Sequence, residues 1–103
     1  MNRAQSGMVS FIIATFNGEK YLEETVKSAL NQLNVDVEII IIDDGSSDNS
    51  FLLAQKLMKA DARIVSLKNN QNLGFCKTVN KGIGIANGSH IVVLDQDDLL
   101  DKR

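Results

Sequence analysis

The chain is poor in residues that punctuate or staple a fold. It has no proline and no tryptophan, one cysteine, one histidine and one tyrosine. There is no Pro-rich linker, no repeat and no low-complexity tract, so 103 residues read as one small domain. The single cysteine, Cys76, excludes an internal disulfide and has no ligand-spaced partners; it reads as a small helix residue. An excess of charge of one sign is missing too. Lys and Arg number 11 and Asp and Glu 13, and the net charge of −2 leaves no electrostatic footprint for nucleic acid or an anionic membrane. No apolar run approaches the roughly 20 residues of a membrane span, and no basic-then-apolar leader opens the chain. The expectation is a cytoplasmic domain that binds no nucleic acid. Two nucleotide signatures are also absent: a P-loop with its lysine, and a G-x-G-x-x-G opening a helix.

What is present alternates between two textures. "VSFIIA" (Val9 to Ala14), "VEIIIID" (Val37 to Asp43), "RIVSL" (Arg63 to Leu67) and "HIVVL" (His90 to Leu94) are short apolar runs without in/out alternation. Strands covered on both faces read this way. Between them lie helical patterns. In "GEKYLEETVKSALNQL", Tyr21, Leu22, Thr25, Val26, Ala29, Leu30 and Leu33 mark one face, with Asn17 as the expected N-cap. "SDNSFLLAQKLMKA" offers Ser46 or Ser47 as cap. "FCKTVNKGIGIANG" is a weaker helix, burdened by Gly82 and Gly84 and expected to end at Asn87-Gly88. Strand and helix alternate from end to end, which predicts a parallel sheet between helices, with ligands outside the carboxyl ends of its strands.

Polar residues collect at those ends. Thr15, Phe16, Asn17 and Gly18 follow the first strand; Asp43, Asp44, Gly45, Ser46 and Ser47 the second. Asn69, Asn70, Asn72 and Gly74 follow the third, and Asp95, Asp97 and Asp98 the fourth. Any one cluster alone reads as a solvated loop, but four on one rim point to a ligand site. The last three carboxylates repel one another, by roughly 2 kcal/mol for a pair about 7 Å apart at an effective dielectric near 20. Hard oxygen ligands of this kind can hold Mg²⁺ or Mn²⁺, and Asp44 could accept a hydrogen bond from a nucleobase N–H. His90 starts its strand at the end opposite the rim and reads as a strand-start residue, not a catalytic one.

Four blocks, "VSFIIATFNGEKYLEETVKSALNQ", "EIIIIDDGSSDNS", "NNQNLGFCKTVNKGIGIANG" and "HIVVLDQDD", together resemble the N-terminal half of a family 2 glycosyltransferase of GT-A fold. The resemblance implies an α/β, Rossmann-like parallel sheet of about four strands with flanking helices. Residues 1–8 would form a tail and 9–103 the nucleotide-sugar-binding part. Thr15, Phe16 and Asn17 would line the nucleoside pocket with Glu19 near it, and Asp44, supported by Asp43, would accept from the base, typically uracil N3–H. Lys77 would flank base or phosphates, Asp95 would contact ribose or the metal's water shell, and Asp97 would ligate Mn²⁺ or Mg²⁺. The implied reaction is inverting transfer from a nucleotide-diphosphate sugar, UDP by family bias, to a saccharide, lipid-linked or protein acceptor. The catalytic base is expected beyond Asp98, so no residue here is assigned to it, and the full-length enzyme could be membrane-associated.

Three positions depart from the family pattern: Ala14 and Phe16 stand where it often has Pro and Tyr, and Val79 where it often has Arg. A sheet that stops after four strands is also expected to expose an apolar edge at "IVVL" and to self-associate through it. Two other classes share the broad architecture. A sugar-nucleotide nucleotidyltransferase would show a Gly-rich phosphate loop where this chain has "TFNGEK". A phosphoacceptor receiver module would need an acid pair after the first strand, where "ATFN" stands.

Overall fold

Four consecutive isoleucines can all leave water only if the strand that carries them is covered on both faces. Ile39, Ile40, Ile41 and Ile42 are all buried, and so are Ile12 and Ile13 beside them. The computed structural model describes the backbone of residues 5–32 and 35–95, and the side chains of 7–32 and 35–94. Its elements are β1 (Gln5–Thr15), α1 (Glu19–Leu30), β2 (Asp36–Asp43), α2 (Ser50–Ala60), β3 (Ile64–Lys68), α3 (Phe75–Ile85) and β4 (Gly88–Asp95). The strands form one sheet in the order β3-β2-β1-β4, every pair parallel. The expected α/β parallel sheet is therefore present.

The alternation of side chains along β1 and β2 divides the core. Phe11, Ile13, Ile39 and Ile41 pack with Leu22, Val26 and Ala29 of α1 and Ala54 of α2. Ile12 and Ile42 point to the other face, where α3 lies. A Cβ added at Gly82 would stand 2.6 Å from Ile12 Cγ2 and 3.2 Å from Ile42 Cδ1. Gly82 is thus not a weakness of α3 but the reason α3 sits so close to the sheet. The order of strand addition reverses after β3, with β4 joining the free side of β1, so the switch point where ligands collect in such sheets lies between β1 and β4. β4 pairs only with β1 among the described residues and leaves Ile91 and Val93 partly exposed.

Several element ends differ from expectation. Residues 5–8, expected within a tail, belong to β1: Gln5 pairs with Gly88, and the register shifts between Gln5 and Val9. Gly7 takes the irregularity at φ 83, its N–H donating to Ser89 Oγ at 3.1 Å. α3 ends at Ile85 rather than at Asn87-Gly88, because those residues fasten the next strand. Gly88 N–H donates to the buried Ser10 hydroxyl at 2.8 Å, which donates in turn to Glu38 Oε2. Asn87 N–H reaches the same carboxylate oxygen. A Cβ at Gly88 would lie 2.6 Å from Ser10 Oγ.

Candidate functional site

The carboxyl ends of the strands carry their hydrogen-bond ladder outward into the loops. Asp44 N–H donates to Thr15 O and Asn69 N–H to Asp43 O, each at 2.8 Å, so three loops start from one rigid rim. The first two loops are then tied together. Asn17, expected as an N-cap, sits instead at φ 52, a left-handed conformation that Asn tolerates. The N-cap of α1 is Gly18. Asn17 Oδ1 accepts from Ser47 N–H at 2.9 Å and Asp48 N–H at 3.3 Å, while Asn17 N–H donates to Ser46 Oγ at 2.8 Å.

Asp48 continues the tie between the loops. Its Oδ1 accepts from Ser50 N–H and Ser50 Oγ, its Oδ2 from Glu19 N–H. Glu19 Oε1 accepts from Asn49 N–H at 3.2 Å. The serines expected to cap α2 lie upstream of its N-cap, Asn49, since Ser46 and Ser47 are used across the loops. Burial pushes the Asp48 carboxyl up, but its hydrogen bonds from Ser50 and Glu19 outweigh burial and hold it below the ordinary 3.8.

The adjacent pair Asp43 and Asp44 divides its work. Asp43, fully buried, accepts from Ser46 N–H at 2.9 Å through Oδ2 and shapes the turn at Gly45. Its Oδ1 is buried without a hydrogen-bond partner. Asp44, only 4% exposed, holds the β3–α3 loop instead. Its Oδ1 accepts from Leu73 N–H at 2.7 Å and Asn69 Nδ2 at 2.9 Å, and its Oδ2 from Gly74 N–H at 3.0 Å. Burial raises the Asp44 carboxyl; the donors Leu73, Asn69 and Gly74, with the Thr78 hydroxyl, prevail and keep it ionised below its usual range. Gly74 adopts φ 95, which places its N–H toward Asp44 at the start of α3. Asn69 is fixed from its other side: Nδ2 also donates to Thr78 Oγ1 at 3.0 Å, and Oδ1 accepts from Lys81 Nζ.

Above Asp44 opens a cavity of about 410 Å³, lined by Ala14, Thr15, Phe16, Asp44, Asn72, Gly74 and Phe75. Two aromatic rings, Phe16 at 45% and Phe75 at 47% exposure, meet solvent there beside one buried carboxylate. Of the residues given a donor-site role by the resemblance, Thr15, Phe16 and Asp44 are brought to this cavity, and Asn72 and Gly74 of the third strand-end cluster join them. Asn17 and Asp43 stand behind it and build its loops. Glu19 faces a separate depression with Asn49, Leu52, Leu53 and Lys56. Lys77, exposed in the first turn of α3, is not part of the cavity wall. Asp95 ends β4 paired with Ala14, which lines the cavity, while its side chain and the whole of Asp97 lie outside the described residues. Among the described residues, no group of three His, Cys, Asp or Glu could hold a metal ion. The sequence pattern assigns Phe75 and Lys81 no role and shows Asn69 only as one of the strand-end polar residues. The available signal was an exposed aromatic one residue after "NLG", at the mouth of a strand-end loop.

Known proteins resemble this chain in sequence and in fold. GlyG of Streptococcus pneumoniae, a glycosyltransferase, is 36% identical over 95% of this chain and 33% of its own length. The Escherichia coli UDP-Glc:alpha-D-GlcNAc-diphosphoundecaprenol beta-1,3-glucosyltransferase WfaP is 41% identical over 88% of this chain and 36% of its own length. The chain thus spans about a third of the curated relatives it matches. Among solved structures, S. aureus TarS 1-349 in complex with UDP has a TM-score of 0.81 at 27% identity, over 91% of this chain and 28% of that one. A Pyrobaculum calidifontis mannosyltransferase in complex with GDP-Man and Mn²⁺ shares the fold, with a TM-score of 0.80 at 20% identity, over 88% of this chain and 28% of that one. The family profile described as glycosyl transferase family 2 matches residues 10–103, and the chain belongs to that family.

Proposed function

We propose that this chain forms the donor site of an inverting, metal-dependent glycosyltransferase that uses a UDP-sugar. The observation that carries the reading is the cavity at the strand ends, where Phe16 and Phe75 rings flank a buried, ionised Asp44. Such a pocket offers a stacking surface and an acceptor for a base N–H, which are the two things a nucleobase needs. The E. coli relative's UDP-Glc donor and the UDP and UDP-GlcNAc complexes of TarS support uridine as the base. Lipid-linked acceptors are supported by the same E. coli relative.

The residue types at the end of β4 suit a hard cation: Asp95, Asp97 and Asp98 offer only carboxylate oxygens. Asp97 would ligate Mn²⁺ or Mg²⁺ and Asp95 would contact ribose or the water shell. The ion would supply charge stabilisation to the diphosphate leaving group. The described residues' own share is to bind the nucleoside, orient it by stacking, and hold Asp44 ionised. An acceptor hydroxyl, deprotonated by a base outside the described residues, would attack the anomeric carbon from the face opposite the nucleotide.

The test is a thermal-shift titration of the full-length protein with UDP and MnCl₂. UDP with Mn²⁺ raises the melting temperature; chelator or Asp97→Ala removes the rise. A titration calorimetry experiment in which no nucleoside diphosphate binds, with or without metal, overturns the reading.

A further inference from the structure

Asp44 lines the cavity, but its acceptor capacity is spent on its own chain. Leu73 N–H, Asn69 Nδ2, Gly74 N–H and the Thr78 hydroxyl together occupy the roughly four positions that a carboxylate offers. A base edge that enters beside Phe16 and Phe75 therefore needs a second polar partner on the wall. Asn72 is exposed and lines the same cavity. Among the described residues its side chain makes one hydrogen bond, from Nδ2 to Asp44 O at 3.2 Å.

That bond settles which way round the amide stands. A backbone carbonyl only accepts, so the nitrogen lies against Asp44 O and Oδ1 is turned away from it. Oδ1 keeps its acceptor capacity, and one N–H of Nδ2 is unspent as well. The backbone that carries the amide is seated on both sides. A Cβ added at Gly45, φ 78, would stand 2.8 Å from Asn72 N and 2.9 Å from Gln71 C, so the β2–α2 turn presses directly on this loop. The next two N–H groups, of Leu73 and Gly74, are anchored on Asp44. The amide is thus ordered before a ligand arrives, and little rotamer freedom is left to lose on binding.

We propose that Asn72 is a base-binding residue of this cavity, with its Oδ1 accepting the imide N–H of uracil. The inference rests on the donor-site reading above and names the side chain that reads the base. The ionised Asp44 beside it favours an edge that presents a proton over one that presents a lone pair. Because Leu73, Gly74 and Gly45 hold the loop without help from the Asn72 side chain, that side chain can be truncated without releasing the loop.

The experiment measures Kd for UDP and N3-methyl-UDP by calorimetry, with MnCl₂, in the full-length wild type, in Asn72→Ala and in Asn72→Leu, which keeps the size of the side chain but not its amide. The wild type binds UDP on the order of tenfold more tightly than N3-methyl-UDP, as expected for one lost hydrogen bond in a water-poor pocket. Both variants weaken UDP by a similar factor and N3-methyl-UDP much less, so the ratio between the two ligands collapses. A merely structural role would weaken both ligands equally and leave the ratio alone. A wild type indifferent to N3-methylation, or an unchanged ratio in both variants, overturns this inference alone. If no nucleoside diphosphate binds, the donor-site reading falls and takes the inference with it.

Discussion

Gly82 and Gly84 lie two residues apart on α3, and helix propensity treats them alike: replacing either by Ala should gain about 1 kcal/mol. Their surroundings differ. A Cβ at Gly84 meets nothing within 4 Å, whereas one at Gly82 would stand 2.6 Å from Ile12 Cγ2 and 3.2 Å from Ile42 Cδ1. Carbon atoms rest about 3.5–4.0 Å apart, so the first contact is short by roughly 1 Å and α3 or Ile12 must move. Overpacking of this kind costs about 1–3 kcal/mol, which outweighs the propensity gain. Gly84→Ala should therefore be stabilised by up to about 1 kcal/mol and Gly82→Ala destabilised by up to about 2 kcal/mol. In a domain of this size 1 kcal/mol moves the melting temperature by about 4–8 °C, so the pair should separate by roughly ten degrees. Urea melts followed by circular dichroism, with equal slopes, give the same difference as free energies. Because α3 also carries Phe75 and Thr78, Gly82→Ala should weaken nucleotide binding as well. Finding Gly82→Ala as stable as Gly84→Ala would refute the claim that α3 is seated against β1 by the missing Cβ.

Acid should loosen the rim from Asp44 and Asp48 first. Both carboxyls are held below 3.8 in the folded state, so the stability they contribute is complete above that value. It is lost as pH falls through their folded values; Asp48→Asn, which has no such proton to take up, should show a shallower fall in melting temperature between about pH 5 and pH 2. A slope equal to that of the wild type would count against it. Phe75→Ala removes a ring that is half exposed and outside the core cluster, so stability should hold while UDP affinity drops. Base–aromatic stacking is worth about 1–3 kcal/mol, a loss of roughly fivefold to more than a hundredfold in Kd by calorimetry. Unaltered affinity would remove Phe75 from the site.

The sheet was legible because its central strands are buried on both faces, as the unbroken apolar runs in "EIIIID" and "SFIIA" require. Helix ends were less legible, and for one reason. Asn17, Ser46, Ser47, Asn87 and Gly88 all have the composition of caps and turns, yet each is used by a partner distant in sequence. Asn17 serves the β2–α2 loop, 30 residues away, and Gly88 presses on Ser10, 78 residues away. Local preference cannot see such partners. The site divides in the same way. Thr15, Phe16 and Asp44 could be placed because strand-end position alone takes them to the rim. Phe75 and Lys81 lie on a helix, where position relative to the rim depends on how α3 is seated.

The acidic and amide residues of the rim raise a final point about what such motifs encode. Taken with the other three strand ends, "DDGSSD" suggests carboxylates offered to a ligand. In the fold, Asp43 accepts from Ser46, Asp48 from Ser50 and Glu19, and Asn17 from Ser47 and Asp48. Nearly all of that acceptor capacity is turned inward to hold three loops against one another. The arrangement has a physical logic, since a carboxylate that satisfies backbone N–H groups stays ionised in spite of burial and fixes the loop that surrounds it. Recognition then falls to what faces the cavity: two rings and the Asp44 carboxylate.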